Sequence, residues 1–443
     1  MKARKLTSRI RARPNVHRVL RLTVGTWLRL RFNITAENAA LLKRVRRPYL
    51  LLPNHVGYWD PFQLSSFVPY PVHHVAADQN FRTRLIRFVM WLVGAIPKTK
   101  GMSDSELIRT ILRLRDRGEI ISLFPEGQRT WDGASLPVLY STAKLVKLLR
   151  VPVIVPVFKG GYFSHPRWAR SPRRGRLVIE FRHAFDGDEL RGLSADEIYE
   201  RLSKLLAHDD YAWQSQHMVR FRGRRPAEHI EHVLFLCPRC NGTATLRSRG
   251  RRASCDACGY ALTYTDYGYL RPDDAPDTRL TVRDLNRRQL DRFTSYLDGL
   301  SADTPIFSEN DTVLSTGYRT NPVRRVATGT ITLYADRLEF APQAPGRRTA
   351  TPGAATAGAS AAGAPGAGAG TAGAGAASGT ADAAVPAART IALSRIEGLN
   401  VQLTTKLELY FENRLYTFDP LERSRSMYKW QVAIEHLTRR NLF

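Results

Sequence analysis

The sequence predicts a multidomain protein: an α/β domain with a mainly parallel sheet, a small four-cysteine ribbon, and a C-terminal antiparallel β domain closed by a helix. In the first half, short apolar runs alternate with longer amphipathic segments, the pattern of strands joined through helices. The chain's four cysteines form two Cys-x-x-Cys pairs between Cys237 and Cys258. From Thr304 onward β-type segments follow one another, and an amphipathic stretch at 425–439 ends the pattern. A length of 443 residues suits two or three such domains.

The run Tyr49-Leu50-Leu51-Leu52 is short, apolar and stopped by Pro53 and Asn54, so it is a buried strand. His55 and Asp60 follow where the chain leaves the sheet, and open α/β sheets place their sites at the carboxyl ends of strands. A neutral imidazole held by a carboxylate is a general base. Residues 81–93 form a basic and apolar helix, with core packing slightly favoured over bilayer contact. Ser103 or Asp104 caps a helix over Leu107, Ile111 and Leu114 that stops at Gly118. A strand at 119–124, a helix at 138–150, a strand at 151–157 and a closing helix at 198–206 complete the domain.

Four stretches occur in a fixed order: Asn54-His55-x4-Asp60; Gly94-Ala95-Ile96-Pro97-Lys98-Thr99-Lys100; Phe124-Pro125-Glu126-Gly127-Gln128-Arg129-Thr130; and 151–157 with Pro152 and Pro156. Together they resemble the four sequence blocks of the glycerolipid acyltransferases, the lysophosphatidic acid acyltransferase type. The resemblance covers about 40–214 and departs at Lys100, where the family usually has arginine. It implies that His55 and Asp60 are catalytic and that the third block binds glycerol phosphate. Arg129 would grip the phosphate, Glu126 would contact an acceptor hydroxyl, and Lys98 or Lys100 would add a second phosphate contact. Asn54, Phe124, Pro125, Gly127 and Thr130 would complete the substrate site. The implied reaction moves a fatty acyl group from an acyl-CoA or acyl carrier protein thioester to a hydroxyl of a lysophospholipid or glycerol phosphate, in phospholipid biosynthesis or remodelling. No Gly-x-Ser-x-Gly elbow is present and every cysteine belongs to the ribbon, so direct attack is the simpler route.

A net charge of +27 calls for an anionic partner, either nucleic acid or an anionic membrane surface. Before Asp60 the only acidic residue is Glu37. Residues 1–39 interleave Val16, Val19, Leu20, Val24, Trp27, Leu28 and Leu30 with arginines. A membrane-surface helix and a helix covering the core suit this pattern about equally. The basic loop at 166–176 reads as solvated, or as facing the same anionic surface. No stretch reaches the roughly 18–20 apolar residues of a membrane span, and no signal-peptide core is evident. The expectation is a cytoplasmic protein, peripheral on the inner face of the membrane. A basic zinc-ribbon protein that binds nucleic acid is the alternative, and a lipid-binding scaffold without activity a third.

Cys237, Cys240, Cys255 and Cys258 have the spacing of a tetrahedral thiolate site, with structural zinc as the default and iron as the other option. The ribbon spans 230–270. The nearby aromatics, Tyr260 and Tyr264, form no base-stacking array, so nucleic acid is the minority reading for it. Thr281-x-x-Asp284 opens a linking helix within 278–300 that ends at Gly299. In 303–443, hairpins at 330–340 and 406–418, a strand at 390–393 and Ser394-Arg395-Ile396-Glu397-Gly398 resemble a GRAM or pleckstrin-homology-like β-barrel with a capping helix. Such modules bind lipids or proteins. An Ala/Gly-rich insertion at 343–388 interrupts it and is expected to be disordered. Gly368-x-Gly370-x-x-Gly373 within it lacks the flanking strand of a dinucleotide site.

Overall fold

A seven-stranded sheet carries the N-terminal half in the computed structural model, which describes residues 10–11, 13–99, 104–343, 388–422 and 425–439. Lys100 and nearly all of the Ala/Gly-rich insertion lie outside the described residues. The strands are β1 (Ile34–Glu37), β2 (Leu50–Leu51), β3 (Val72–Ala77), β4 (Ile96–Lys98), β5 (Ile120–Ser122), β6 (Val153–Lys159) and β7 (Leu177–Phe185), in the order β1-β7-β6-β2-β5-β3-β4. The centre is parallel, as expected: β2 pairs with β5 and β6, and β3 with β5 and β4. β7 runs antiparallel to β6 and carries β1 parallel to itself, so the sheet is mixed. The expected boundary at residue 40 falls after β1, a full strand inside this sheet.

Helices cover both faces, which is why the central strands are apolar throughout. Side chains alternate along β6. Val153, Val155 and Val157 join Leu50, Leu52 and Ile121 under α6 (Ser105–Asp116), α7 (Tyr140–Leu149) and α9 (Ala195–Leu206). Ile154 and Phe158 join Leu51, Ile120, Ile179 and Phe181 on the other face. That face is covered by α2 (Thr26–Phe32), α3 (Leu41–Arg44) and α4 (Asp60–Ser65). α1 (Pro14–Leu20) runs into α2 through a π-helical turn at Arg21–Gly25. Leu28 and Phe32 are buried, whereas Val19, Leu22, Val24, Trp27 and Leu30 are exposed. One helix therefore packs on the core and presents an apolar outer side.

α5 (Arg84–Leu92) differs from the expectation of core packing. None of its residues is buried, and Leu85, Ile86, Phe88 and Val89 are exposed. The basic loop at 166–176 corrects the solvated reading in the opposite direction. It follows α8 (Gly161–Ser164), and Arg167 and Arg173 within it are buried. Arg173 donates to the carbonyls of Phe163 and Pro226 and to the Tyr264 hydroxyl, so its charge is met by oxygens of neighbouring elements.

Past α10 (Asp210–His217), a four-stranded antiparallel sheet in the order β11-β10-β9-β8 forms the ribbon from β8 (Leu246–Arg249), β9 (Arg252–Cys255), β10 (Ala261–Tyr264) and β11 (Leu270–Pro272). α11 (Val282–Asp298) is capped by the Thr281 hydroxyl, which accepts from the Asp284 N–H at 2.9 Å, and Gly299 stands at its C-cap. The last sheet contains β12 (Phe307–Gly317), β13 (Arg324–Leu333), β14 (Arg337–Pro342), β15 (Arg389–Ala392), β16 (Ile396–Gln402), β17 (Lys406–Phe411) and β18 (Arg414–Pro420). Its order is β15-β14-β13-β12-β18-β17-β16, antiparallel throughout. β15 and β16 form its two edges, so the sheet is open where a closed barrel is expected. α12 (Tyr428–Thr438) buries Tyr428, Trp430, Ala433 and Ile434.

These parts share one apolar core. Trp131, Tyr162, Phe163 and Trp168 of the α/β domain belong to the same cluster as Phe235 and Cys237 of the ribbon. Phe293 of α11, Leu399 and Val401 of β16 and Trp430 of α12 complete it. The boundaries visible in sequence are therefore crossed by packing. Among the described residues no helix is long and apolar enough to cross a membrane.

Candidate active site

β2 ends at the centre of the sheet, and its last residues deliver His55 to the carboxyl edge of the parallel strands. Asn54 is buried and makes a β-like pair of bonds with Phe158 of β6: its Oδ1 accepts from the Phe158 N–H at 2.7 Å and its Nδ2 donates to the carbonyl at 3.2 Å. The amide thus continues the ladder after Pro53, fixing the backbone just before the histidine.

His55 is held from four sides. Its N–H donates to Glu126 Oε1 at 3.0 Å, and its carbonyl accepts from the Thr130 N–H at 3.0 Å. Its ring stacks on Phe124 with centroids 4.0 Å apart, and Nδ1 lies 2.9 Å from Asp60 Oδ2. That oxygen also accepts from the N–H groups of Val56 (2.8 Å) and Gly57 (2.9 Å), so it is an acceptor and Nδ1 is the donor. Nε2 then carries the lone pair, the state required of a base. Asp60 begins α4, where the helix start favours negative charge. A Cβ on Gly57 would lie 2.9 Å from Asp60 Oδ1, so a larger residue there would push on the carboxylate.

The third block forms a turn around this histidine. Gly127 adopts a φ of +73°, and its N–H donates to the Phe124 carbonyl at 3.1 Å. The Pro125 carbonyl accepts from Leu139 at 2.9 Å. Glu126 is only 1% exposed, and its two oxygens accept from the N–H groups of His55 and Leu136. Burial pushes its carboxyl up to about 8, with the Asp60 charge adding to the rise and the two N–H donors opposing it. Both Glu126 oxygens thus brace the main chain, one at His55 and one at Leu136. Thr130 is likewise buried, with its hydroxyl accepting from the Gly133 N–H at 3.1 Å.

Arg129 is half-buried, and among the described residues no carboxylate pairs with its guanidinium. Burial lowers its pKa from the usual arginine range, while Asp60 and Tyr58 act the other way. Lys98 closes β4 at the same edge of the sheet. β4 lies three strands from β2, roughly 14 Å away at ordinary strand spacing. Burial lowers the Lys98 pKa, opposed by Asp104. His165 escaped the sequence reading. Burial, together with Arg129, Arg173 and Arg31, pushes it down to about 4, so it is neutral at pH 7. Tyr58 and Trp59 also border the site, and Trp59 meets Trp27 of α2 edge-on at 6.1 Å. Aromatics inside the His55–Asp60 interval were the available signal for this contact.

The four cysteines do converge. Cys237 and Cys258 have sulfurs 3.7 Å apart, as do Cys240 and Cys255, and all four lie within 4.8 Å of one another. Thiolates about 2.3 Å from a tetrahedral metal are separated by roughly 3.8 Å, so the donor set and its spacing fit a closed structural site.

Residues 33–159 match the family model described as Acyltransferase. Over 113 residues the chain is 23% identical to the 1-acyl-sn-glycerol-3-phosphate acyltransferase of Bacillus subtilis (strain 168). This alignment covers 25% of this chain and 56% of that protein, so the chain spans about half the length of the curated relative it matches. The solved 1-acyl-sn-glycerophosphate acyltransferase from Thermotoga maritima aligns with a TM-score of 0.37 at 15% identity, covering 46% of this chain and 78% of that one. The stretch matched by the Acyltransferase model contains His55, Asp60 and the turn at 124–130.

Proposed function

We propose that the protein transfers a fatty acyl group from an acyl-CoA or acyl carrier protein thioester to a hydroxyl of a lysophospholipid or glycerol phosphate. The observation that carries this reading is the His55–Asp60 pair at 2.9 Å, with Nδ1 fixed as the donor and the ring held on Phe124. His55 Nε2 takes the acceptor proton as the hydroxyl oxygen attacks the thioester carbonyl. A carbon–oxygen bond forms, the carbon–sulfur bond breaks, and the imidazolium returns the proton to the departing thiolate. Asp60 keeps the imidazole in the required tautomer and stabilises its charged form. Arg129, without a carboxylate partner among the described residues, is the group we assign to the acceptor phosphate, whose oxygens match a guanidinium fork.

The exposed apolar side of α1 and α2 and the exposed face of α5 support attachment to an anionic membrane surface. Arg13 links them, donating to the carbonyls of Trp91 and Leu92 and stacking over Trp91 at 3.7 Å. The nucleic-acid alternative is weakened at the ribbon, where Arg247, Arg251 and Arg252 pair with Asp256, Asp266 and Asp273. The cysteine site is assigned to structural zinc. The open C-terminal sheet keeps its pleckstrin-homology-like reading as a proposal.

Labelled acyl transfer from acyl-CoA and acyl carrier protein to a panel of lysolipids and glycerol phosphate tests the reading. We expect product with phosphate-bearing acceptors. Wild-type protein that transfers to none of them, with either donor, would overturn it.

A further inference from the structure

The turn that carries Arg129 is gripped by Arg167, from the loop after α8, and by residues of α11 and α12. Gln128 is buried, and its Oε1 accepts from Arg167 Nη1 and from Gln431 Nε2 of α12, each at 3.2 Å. Arg167 Nη1 also donates to the main-chain carbonyl of Arg129 at 3.1 Å, and Nη2 donates to the Val401 carbonyl of β16 at 2.7 Å. Its guanidinium lies 3.9 Å over the Trp131 ring, and Trp131 stacks with Tyr428 of α12 at 4.3 Å. Asp132 Oδ2 accepts from Asn286 of α11 at 2.9 Å. Consecutive residues around Arg129 are thus anchored to α11, β16 and α12.

Arg167 is 8% exposed and forms no salt bridge among the described residues. Burying a guanidinium without a paired carboxylate is costly, and an apolar side chain would fill this joint more cheaply. What the guanidinium adds is direction: planar donors that fix Gln128, the Arg129 carbonyl and Val401 relative to one another. Gln431 extends the network by donating to Glu435 Oε1 at 3.0 Å.

We propose that Gln128, Arg167 and Gln431 are positioning residues for Arg129, so that the C-terminal half assembles the acceptor site of the acyltransferase domain. This rests on the assignment of Arg129 to the acceptor phosphate. These outer anchors, at 167 and beyond, add to the bonds that tie the turn to the main chain of His55, Leu136 and Leu139 within residues 33–159.

Steady-state kinetics of the full chain with lysophosphatidic acid test it, using Arg167→Met, Gln431→Leu and the conservative Arg167→Lys. Misplacing a contact by about 1 Å costs on the order of 10- to 100-fold. We expect Arg167→Met and Gln431→Leu to raise the acceptor KM within that range while leaving the thioester KM unchanged. Arg167→Lys should recover part of the loss. In an Arg129→Ala background both substitutions should add nothing further to the acceptor KM, because they act through Arg129. A residue that only holds the fold would lower kcat with the folded fraction at constant KM, and that result would overturn the proposal. Gln431→Leu keeps the test open if Arg167→Met does not fold. If Arg129→Ala raises the acceptor KM and neither substitution does, the positioning role fails alone; if Arg129→Ala leaves it unchanged, the phosphate assignment fails and the proposal falls with it.

Discussion

Arg129 sits on the turn whose next residue, Thr130, donates to the His55 carbonyl, but the two side chains have different parts in the proposed reaction. The phosphate contact exists in both the ground and transition states, so Arg129→Ala should act mainly through acceptor KM. A charge-assisted hydrogen bond contributes about 1.5–3 kcal/mol, which corresponds to a rise of roughly 10- to 100-fold. Arg129→Lys should recover only part, because a point charge lacks the planar fork. With a monoacylglycerol acceptor, wild type and Arg129→Ala should nearly converge. Initial rates at varied acceptor concentration decide this, and a variant equally impaired with both acceptors would contradict the assignment. His55, Asp60 and Arg129 were singled out because the ordered sequence blocks that carry them resemble a known family, since the spacing of a histidine and an aspartate alone means little. The partners of Glu126 were out of reach: one of the two N–H groups it accepts from belongs to His55, 71 positions away, and only the folded turn brings them together.

At the scale of elements, α5 shows where periodicity alone misleads. Its apolar residues suggested a core-facing stripe, yet its Leu85 and Phe88 face outward while Arg82 and Arg87 hold the hairpin between β12 and β13. Sequence gives the amphipathic pattern but not which neighbour lies on which side. Because Leu28 is buried, the exposed residues to alter are Trp27, Leu30 and Phe88. Each exposed aromatic or leucine contributes up to about 1.5–3 kcal/mol on burial, and each nearby Lys or Arg about 1 kcal/mol at an anionic surface. Sedimentation with anionic vesicles should therefore weaken with salt and fall at least tenfold in the triple alanine variant. Equal binding to neutral and anionic vesicles would contradict a charge-guided surface. In the ribbon, Cys237 and Cys255 are buried within the shared core. Chelation, or a Cys237→Ser/Cys255→Ser double variant, should remove bound zinc on elemental analysis. It should also loosen the packing around Phe235, Phe293 and Trp430, beyond the ribbon itself. Unchanged thermal unfolding after full metal loss would contradict that coupling.

At the scale of the molecule, three modules that are separable in sequence become one packed body. Although β3, β4 and β12 were not singled out, the strands at 49–52, 119–124 and 151–157 and the C-terminal hairpins were readable from apolar runs, caps and turn residues. The mutual docking was not, because it depends on contacts such as Arg82 with Glu408 at 2.6 Å, which join positions 326 apart. Such pairs leave no periodic trace, and the basic loop at 166–176 even reads as solvated until Arg167 is seen among its acceptors. The strands β1 and β7 were missed for a related reason: β1 is a four-residue edge that takes its identity from β7, and β7 is set by the pairing of its two sides with β1 and β6. The central claim concerns the base at the carboxyl edge of β2, and single-turnover acyl transfer by the full-length protein reads it directly. His55→Ala should slow transfer by roughly 10²–10⁴-fold. Asp60→Asn should also be severe, while both variants keep wild-type thioester binding. A His55→Ala protein that transfers acyl groups at the wild-type rate to its best acceptor would contradict the mechanism.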